Sequence, residues 1–242
     1  MDNPKTILIT GASSGIGQAT ALRFAKDNNL IITYSQNQAG AEQTAQKCLD
    51  SGARDALVLP LDLSQIESIQ SAVNQISAKY NQIDILINNA GTIVHGNLSE
   101  IDIKDISSQI RINLEGLIIL TKLLLPKIQQ SIINIGSNLG IQAKGTLSVY
   151  SAVKFGVRGF SQALAQENPS LKVYTVNPGL TATKMGSSKG MDPANVAEII
   201  FSAAQGEYKA KSGSDVNVRD YQYGEFLGKI VKFLRYIKKM VK

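Results

Sequence analysis

Short runs of consecutive apolar residues alternate along the chain with longer stretches in which apolar positions recur at helical spacing. "TILIT" (6–10) precedes a glycine turn and a periodic stretch from Gly17 to about Lys26. "LIITYS" (30–35) is followed by a helical pattern over roughly 39–51, and "DALVLPLDL" (55–63) by one over about 65–79. Then come "IDILINNAG" (83–91), a long helical region from about 102 to 129, "SIINIGS" (131–137), a helix from about 148 to 166, and "KVYTVNPG" (172–179). Strand-length runs that are apolar throughout belong to strands covered on both faces, as in a parallel sheet flanked by helices. The order predicts a doubly wound, Rossmann-like α/β fold with helices on both faces, in one domain over 1–220. No repeat or linker marks a second domain.

Charge adds a separate feature at the C-terminus. Of the net charge of +6, five units lie in 225–242, where Lys229, Lys232, Arg235, Lys238, Lys239 and Lys242 face only Glu225. The body of the chain is close to neutral, which argues against a nucleic-acid partner, since that would need a basic face on the domain itself. In the tail, Phe226, Leu227, Ile230, Phe233, Leu234, Ile237 and Val241 recur at helical spacing, so 221–242 reads as a basic amphipathic helix. Two roles are open to it: packing on its own domain or a neighbouring subunit, or contact with an anionic membrane surface or an acidic partner. The single cysteine, Cys48, excludes an internal disulfide and fits a reducing compartment. "MDNPKTILIT" does not read as a signal peptide, and "LEGLIILTKLLLP" (114–126) is too short for a membrane span and reads as a buried helix. The expected location is cytoplasmic. His95 is the one histidine and has no partners for a metal site, so no metal is expected.

The candidate chemistry begins at "TGASSGIG" (10–17), where Gly11, Gly15 and Gly17 fall between the first strand and the first helix. Small residues there let backbone N–H groups and a helix N-terminus approach a phosphate. A tight turn that merely needs glycine would look the same. Further along, "NNAG" (88–91), "RINLEG" with Asn113, "IINIGS" ending at Ser137, "YSAVK" (150–154) and "NPG" (177–179) occur in order, at or just past predicted strand ends or on the helices between. This set resembles the short-chain dehydrogenase/reductase family, over residues 10–183. The resemblance decays after about residue 190.

The resemblance implies an NAD(P)-dependent oxidoreductase that moves a hydride between a nicotinamide and a carbonyl or alcohol substrate. Reduction of a carbonyl leaves charge on oxygen, so a proton donor must stand beside it. Tyr150 fills that role, and Lys154, one turn on, is expected to lower the phenol's pKa from about 10. The family pattern also implies that Lys154 binds the nicotinamide ribose. Ser137 would donate to the substrate oxygen; read alone it is a capping or turn serine. Asn113 would sit at a helix kink whose backbone holds a water in a relay to Lys154; read alone it is a polar residue at a bend. Cofactor contacts are implied for Gly11, Ser13, Ser14, Gly15, Ile16 and Gly17, for Ser35 after the second strand, and for Asp62 and Leu63 at the adenine. They are implied also for Asn89, Ala90 and Gly91 along the adenine ribose, and for Pro178, Gly179, Thr181 and Thr183 towards the carboxamide. Asp62 read alone caps a helix. "TYSQN" (33–37) carries neither the acid that holds an NAD ribose nor an arginine for a 2′-phosphate, which favours NADP(H) with NAD as the alternative. A homo-oligomer is expected, a dimer through the helices at 102–129 and 148–166 or a tetramer. The competing function, a catalytically silent dinucleotide sensor or a membrane-associated scaffold, fits the intact Ser–Tyr–Lys set less well.

Overall fold

The computed structural model describes residues 3–208 and 210–220. Its strands are β1 (Thr6–Ile9), β2 (Asn29–Tyr34), β3 (Asp55–Pro60), β4 (Ile83–Asn88), β5 (Ile128–Ile135), β6 (Lys172–Asn177) and β7 (Asp215–Asn217). Its helices are α1 (Gly15–Phe24), α2 (Gln38–Asp50), α3 (Ile66–Lys79), α4 (Ile103–Ile110), α5 (Gly116–Leu124), α6 (Ser148–Glu167) and α7 (Pro193–Gln205). The strands form one sheet in the order β3-β2-β1-β4-β5-β6-β7, every pair parallel. The chain is thus a doubly wound α/β domain whose strand order reverses between β1 and β4, the place where ligands collect in such sheets.

The apolar runs explain the two-sided core. Successive residues of a strand point to opposite faces. Ile7, Ile9, Leu30, Ile32, Ile85 and Ile87 join one buried cluster with Ala21 and Phe24 of α1 and with Ile199 and Ile200 of α7. Leu8, Ile31, Leu86, Ile132 and Val173 join the other, with Ile69 and Ile76 of α3, Leu120 and Leu124 of α5 and Leu164 of α6. A buried polar string crosses the second layer. Asn88 Nδ2 donates to Thr121 Oγ1 and to Asn134 Oδ1 at 3.0 and 2.8 Å, and Asn134 Nδ2 donates to Ser161 Oγ at 2.8 Å. It pins α5 and α6 to the strands between them.

Three elements differ from the sequence reading. The region expected as helix over 102–129 is α4, a π-helical turn at Arg111–Glu115, α5, and a single 3-10 turn at Leu125–Lys127 containing Pro126. β5 then begins at Ile128, three residues before the expected strand, because Ile128 already pairs with Ile83. Beyond residue 190 the chain adds α7. Asp192 caps it by accepting from the Ala194 N–H at 2.8 Å, and it closes at Gly206 with φ 78°. β7 adds a last short strand to the sheet beside β6. The apolar run at 114–126 is largely α5, packed in the core. Among the described residues no helix is long and apolar enough to cross a membrane. The amphipathic stretch at 221–242 lies outside the described residues.

Candidate active site

The glycine turn after β1 is held from behind by the end of β4. The Thr10 hydroxyl oxygen accepts from the N–H groups of Asn89 and Ala90 at 3.0 and 2.9 Å. Asn89 Nδ2 in turn donates to the carbonyls of Thr10 and Gly11 at 2.8 and 3.1 Å. Gly11 and Gly15 have φ of 64° and 59°, the left-handed region glycine tolerates best. A methyl group at Gly17 would lie 2.5 Å from both Asn89 Nδ2 and the Gly11 carbonyl, so no larger residue fits beneath the turn. α1 opens at Ser14, whose backbone is extended and whose side chain makes no capping bond, and its first turn carries no acid. Its leading N–H groups therefore lack a side-chain acceptor, an arrangement suited to an anion. Ile16 packs on the core, and the Ser13 carbonyl lies against Gly40 at the start of α2. At the end of β2, Ser35 and Gln36 are exposed, while Asn37 caps α2 by accepting from the Gly40 N–H at 3.1 Å.

Asp62 and Leu63 follow β3. Asp62 accepts from Ser64 through both the backbone N–H and the hydroxyl, at 2.9 and 2.7 Å, so it closes a turn rather than capping α3. The Leu63 carbonyl presses on Gly116, where an added methyl would sit 2.1 Å away. That close approach follows directly on the π turn, which contains Asn113. π turns bend helices and leave part of the carbonyl ladder rearranged. The kink expected at Asn113 is thus present. Its side chain is committed elsewhere: Oδ1 accepts from the Thr92 N–H and Nδ2 donates to the Thr92 carbonyl, both at 2.7 Å. Gly91 packs on the same Oδ1.

Ser137, Tyr150 and Lys154 come together beyond β5. Ser137 leads a short 3-10 turn, and its Oγ accepts from the Leu139 N–H at 3.1 Å while its own N–H donates to Asn177 Oδ1 at 3.1 Å. The capping role and the proximity to Tyr150 coexist, for the Ser137 hydroxyl stands close enough to the phenol to favour its ionised form. Tyr150 and Lys154 are 8% and 5% exposed. Lys154 Nζ donates to the Ile135 carbonyl at 2.7 Å and lies 5.6 Å from the centre of the Tyr150 ring. Burial decides both pKa values. It pushes Tyr150 up to about 12, with only the neighbouring Ser137 hydroxyl pulling it back, and pushes Lys154 down to about 8. The expected lowering of the phenol pKa by the ammonium is therefore reversed among the protein groups alone, because burial disfavours the phenolate.

The fourth wall follows β6. Pro178 accepts from the Asn138 N–H at 3.1 Å, and Gly179 packs on Asn138 Nδ2. Thr181 donates to the Gly179 carbonyl at 3.1 Å, and Thr183 touches Gly15 through its methyl group. A bridge between Thr181 and Met191 closes the intervening loop, and methyl groups at Gly186 or Gly190 would meet the Thr181 backbone at 2.0 and 2.4 Å. Contacts therefore run from the glycine turn through Ala90, Gly91 and Asn113 on one side, and through Thr183, Gly179, Asn138 and Ser137 to Tyr150 on the other. Ser35 alone of the expected residues stands apart at the β2 end. Sequence reading passed over Thr10, Gln109 and Asn177. Thr10 and Asn177 lie inside quoted motifs, which was their available signal; Gln109 had none. His95 is exposed on the loop after β4.

A profile of the short chain dehydrogenase family matches residues 5–194. The chain is 30% identical over 223 residues to an NADP-dependent 3-hydroxy acid dehydrogenase of Schizosaccharomyces pombe, covering 82% of this chain and 86% of that one. A 3-oxoacyl-(acyl-carrier-protein) reductase of Synechocystis is 30% identical over 214 residues, covering 86% and 85%. Among solved structures, a short chain dehydrogenase from Burkholderia cenocepacia in complex with NADP superimposes with a TM-score of 0.82 at 25% identity, covering 88% of this chain and 95% of that one.

Proposed function

The chain belongs to the short chain dehydrogenase family, and from that premise we propose that it reduces a carbonyl group in a small or medium substrate with NADPH, using Tyr150 as proton donor. The carrying observation is the trio beyond β5: a buried phenol beside the half-buried Ser137 hydroxyl, with a buried amine one helical turn away. When bound, the nicotinamide dinucleotide supplies the hydride. A phenol with a pKa near 12 is fully protonated at neutral pH, so it can deliver a proton to the oxygen as charge develops there. Ser137 shares that charge through its hydroxyl. Lys154, with a pKa near 8, exchanges protons readily around neutrality and is suited to restore the phenol's proton. Asn113 serves through the kinked backbone, since both ends of its amide are occupied by Thr92.

The residues suit the dinucleotide. The uncapped start of α1 and the left-handed glycines, with Ser13 and Ser14, would hold the pyrophosphate. Asp62, Leu63, Asn89 and Ala90 would flank the adenosine, and Pro178, Gly179, Thr181 and Thr183 the carboxamide. Preference for NADP(H) rests on the β2 end, where no carboxylate stands to repel a 2′-phosphate and Ser35 and Gln36 are exposed donors. One relative is named NADP-dependent, and one similar structure holds NADP. The relatives' names put 3-oxo esters first in a substrate screen. The test follows NADPH oxidation with ethyl acetoacetate, quinones and aldehydes, using wild type and Tyr150→Phe. Turnover in wild type and a loss of at least about a thousandfold in the variant are expected, the upper range of general acid catalysis. Undiminished turnover in Tyr150→Phe removes the proposed donor.

A further inference from the structure

The segment after β4 runs from Gly91 past the kink at Asn113 to the stretch preceding Tyr150, and alternate amides along it are tied to neighbours. Thr92 N–H donates to Asn113 Oδ1 at 2.7 Å, Val94 N–H to Gln109 Oε1 at 2.9 Å, and Gly96 N–H to the Thr146 carbonyl at 3.0 Å. Bonding at every second residue is the pattern of a strand edge, here satisfied by side chains four apart on one helical face and by a loop carbonyl.

Gln109 is the middle rung, and its place is costly. It is the only buried residue of α4, with 0% exposure, where an apolar side chain would be the ordinary choice. Its Nε2 has no partner among the described residues. A buried amide with an idle donor is retained against its own desolvation penalty, so the acceptor at its other end has a job that leucine could not do. Val94 lies two residues from the amide clamped by Asn113 and two from the one tied to Thr146, which itself precedes Tyr150 by four positions.

We propose that Gln109 is a positioning residue: its Oε1 fixes the Val94 amide and so sets the wall between the Asn113 kink and Tyr150 against which the carbonyl substrate lies. The assignment of that wall to a substrate rests on the dehydrogenase reading; the rung itself does not. The test is amide hydrogen exchange of peptides covering 90–98, read by mass spectrometry in wild type, Gln109→Leu and Gln109→Glu. Gln109→Glu keeps an acceptor for the Val94 N–H and lacks the idle Nε2. Exchange at 92–96 is expected to rise about tenfold in Gln109→Leu, the effect of one lost hydrogen bond, with the rest of the chain unchanged. It should return to near the wild-type rate in Gln109→Glu. In ethyl acetoacetate reduction the KM should rise about tenfold in Gln109→Leu, while NADPH affinity from fluorescence titration moves less than twofold. Equal exchange in wild type and Gln109→Leu, or a Gln109→Glu segment as loose as Gln109→Leu, overturns the proposal. Exchange behaving as expected in a protein without turnover on any carbonyl compound overturns the dehydrogenase reading and leaves the rung standing.

Discussion

Lys154 is an amine held where water scarcely reaches, at 5% exposure, with one carbonyl as its hydrogen-bond acceptor. Burial lowers its pKa from 10.5 to about 8. In the unfolded chain the amine regains its ordinary affinity for a proton. Below pH 8 both states carry that proton, and the folded state bears the full desolvation penalty: about 3 kcal/mol, at roughly 1.4 kcal/mol per pH unit. Between pH 8 and 10.5 the folded amine is neutral while the unfolded one still binds the proton, so stability rises with pH and the penalty fades. Above 10.5 it is gone. Lys154→Met removes the penalty and keeps an unbranched side chain of similar length. It also forfeits the bond to the Ile135 carbonyl, a loss of about 1 kcal/mol. The variant should therefore be more stable at pH 7 by about 2 kcal/mol, which for a domain of this size raises Tm by about 4–8 °C. Turnover should be lost. Urea unfolding of both proteins, free of dinucleotide, at intervals from pH 6 to 10.5 measures the gap. A variant no more stable than wild type at pH 7, or a gap that keeps the same size across the series, refutes the reasoning.

Three further outcomes are open to measurement. Gly17→Ala drives a methyl group into Asn89 Nδ2 and the Gly11 carbonyl, so NADPH affinity should fall at least about tenfold, the equivalent of one or two disturbed hydrogen bonds, in a fluorescence titration; wild-type affinity would contradict the turn's role. Ser137→Ala removes the one group that pulls the Tyr150 pKa down, so in the oxidation direction, which needs the phenolate, the rising limb of the pH–rate profile should move to higher pH; an unmoved limb would separate the two residues. We propose as the dimer contact the groove of about 270 Å³ lined by Ile106, Ile110, Leu114, Val149, Ala152 and Val153, near which Ile110 and Phe155 are each about two-fifths exposed. Ile110→Glu together with Phe155→Glu should shift sedimentation to the monomer, and an unchanged mass would place any assembly elsewhere.

The sheet was legible because each central strand is covered on both sides and so carries an apolar run, as in "ILI" of β1. Boundaries were lost where that cause lapses. Gln129 and Gln130 sit at the lower rim of β5, one exposed and one half-buried, and therefore carry no apolar signal although they are strand. α7 announced itself only through Asp192–Pro193 at its start and Gly206 at its end, punctuation that goes unread once the motifs run out. In the site, spacing placed Tyr150 and Lys154 on one helix face but held no information about solvent, and desolvation fixed the sign of both pKa shifts. Thr10 and Asn177 act by bonding backbone far away in sequence, Thr10 across 79 and 80 residues, and no local pattern records such a bond.

The clasp between Thr181 and Met191 fastens the two ends of its loop to one another. The Ala182 N–H donates to the Met191 carbonyl at 2.7 Å and the Met191 N–H to the Leu180 carbonyl at 2.8 Å, while Lys184, Met185, Ser188 and Lys189 stand out in solvent. Those outer residues can be rewritten while the threonines at the base keep their places, as the bezel of a ring stays put when the stone is changed. Substitution at those four surface positions can therefore proceed without reopening the contacts underneath.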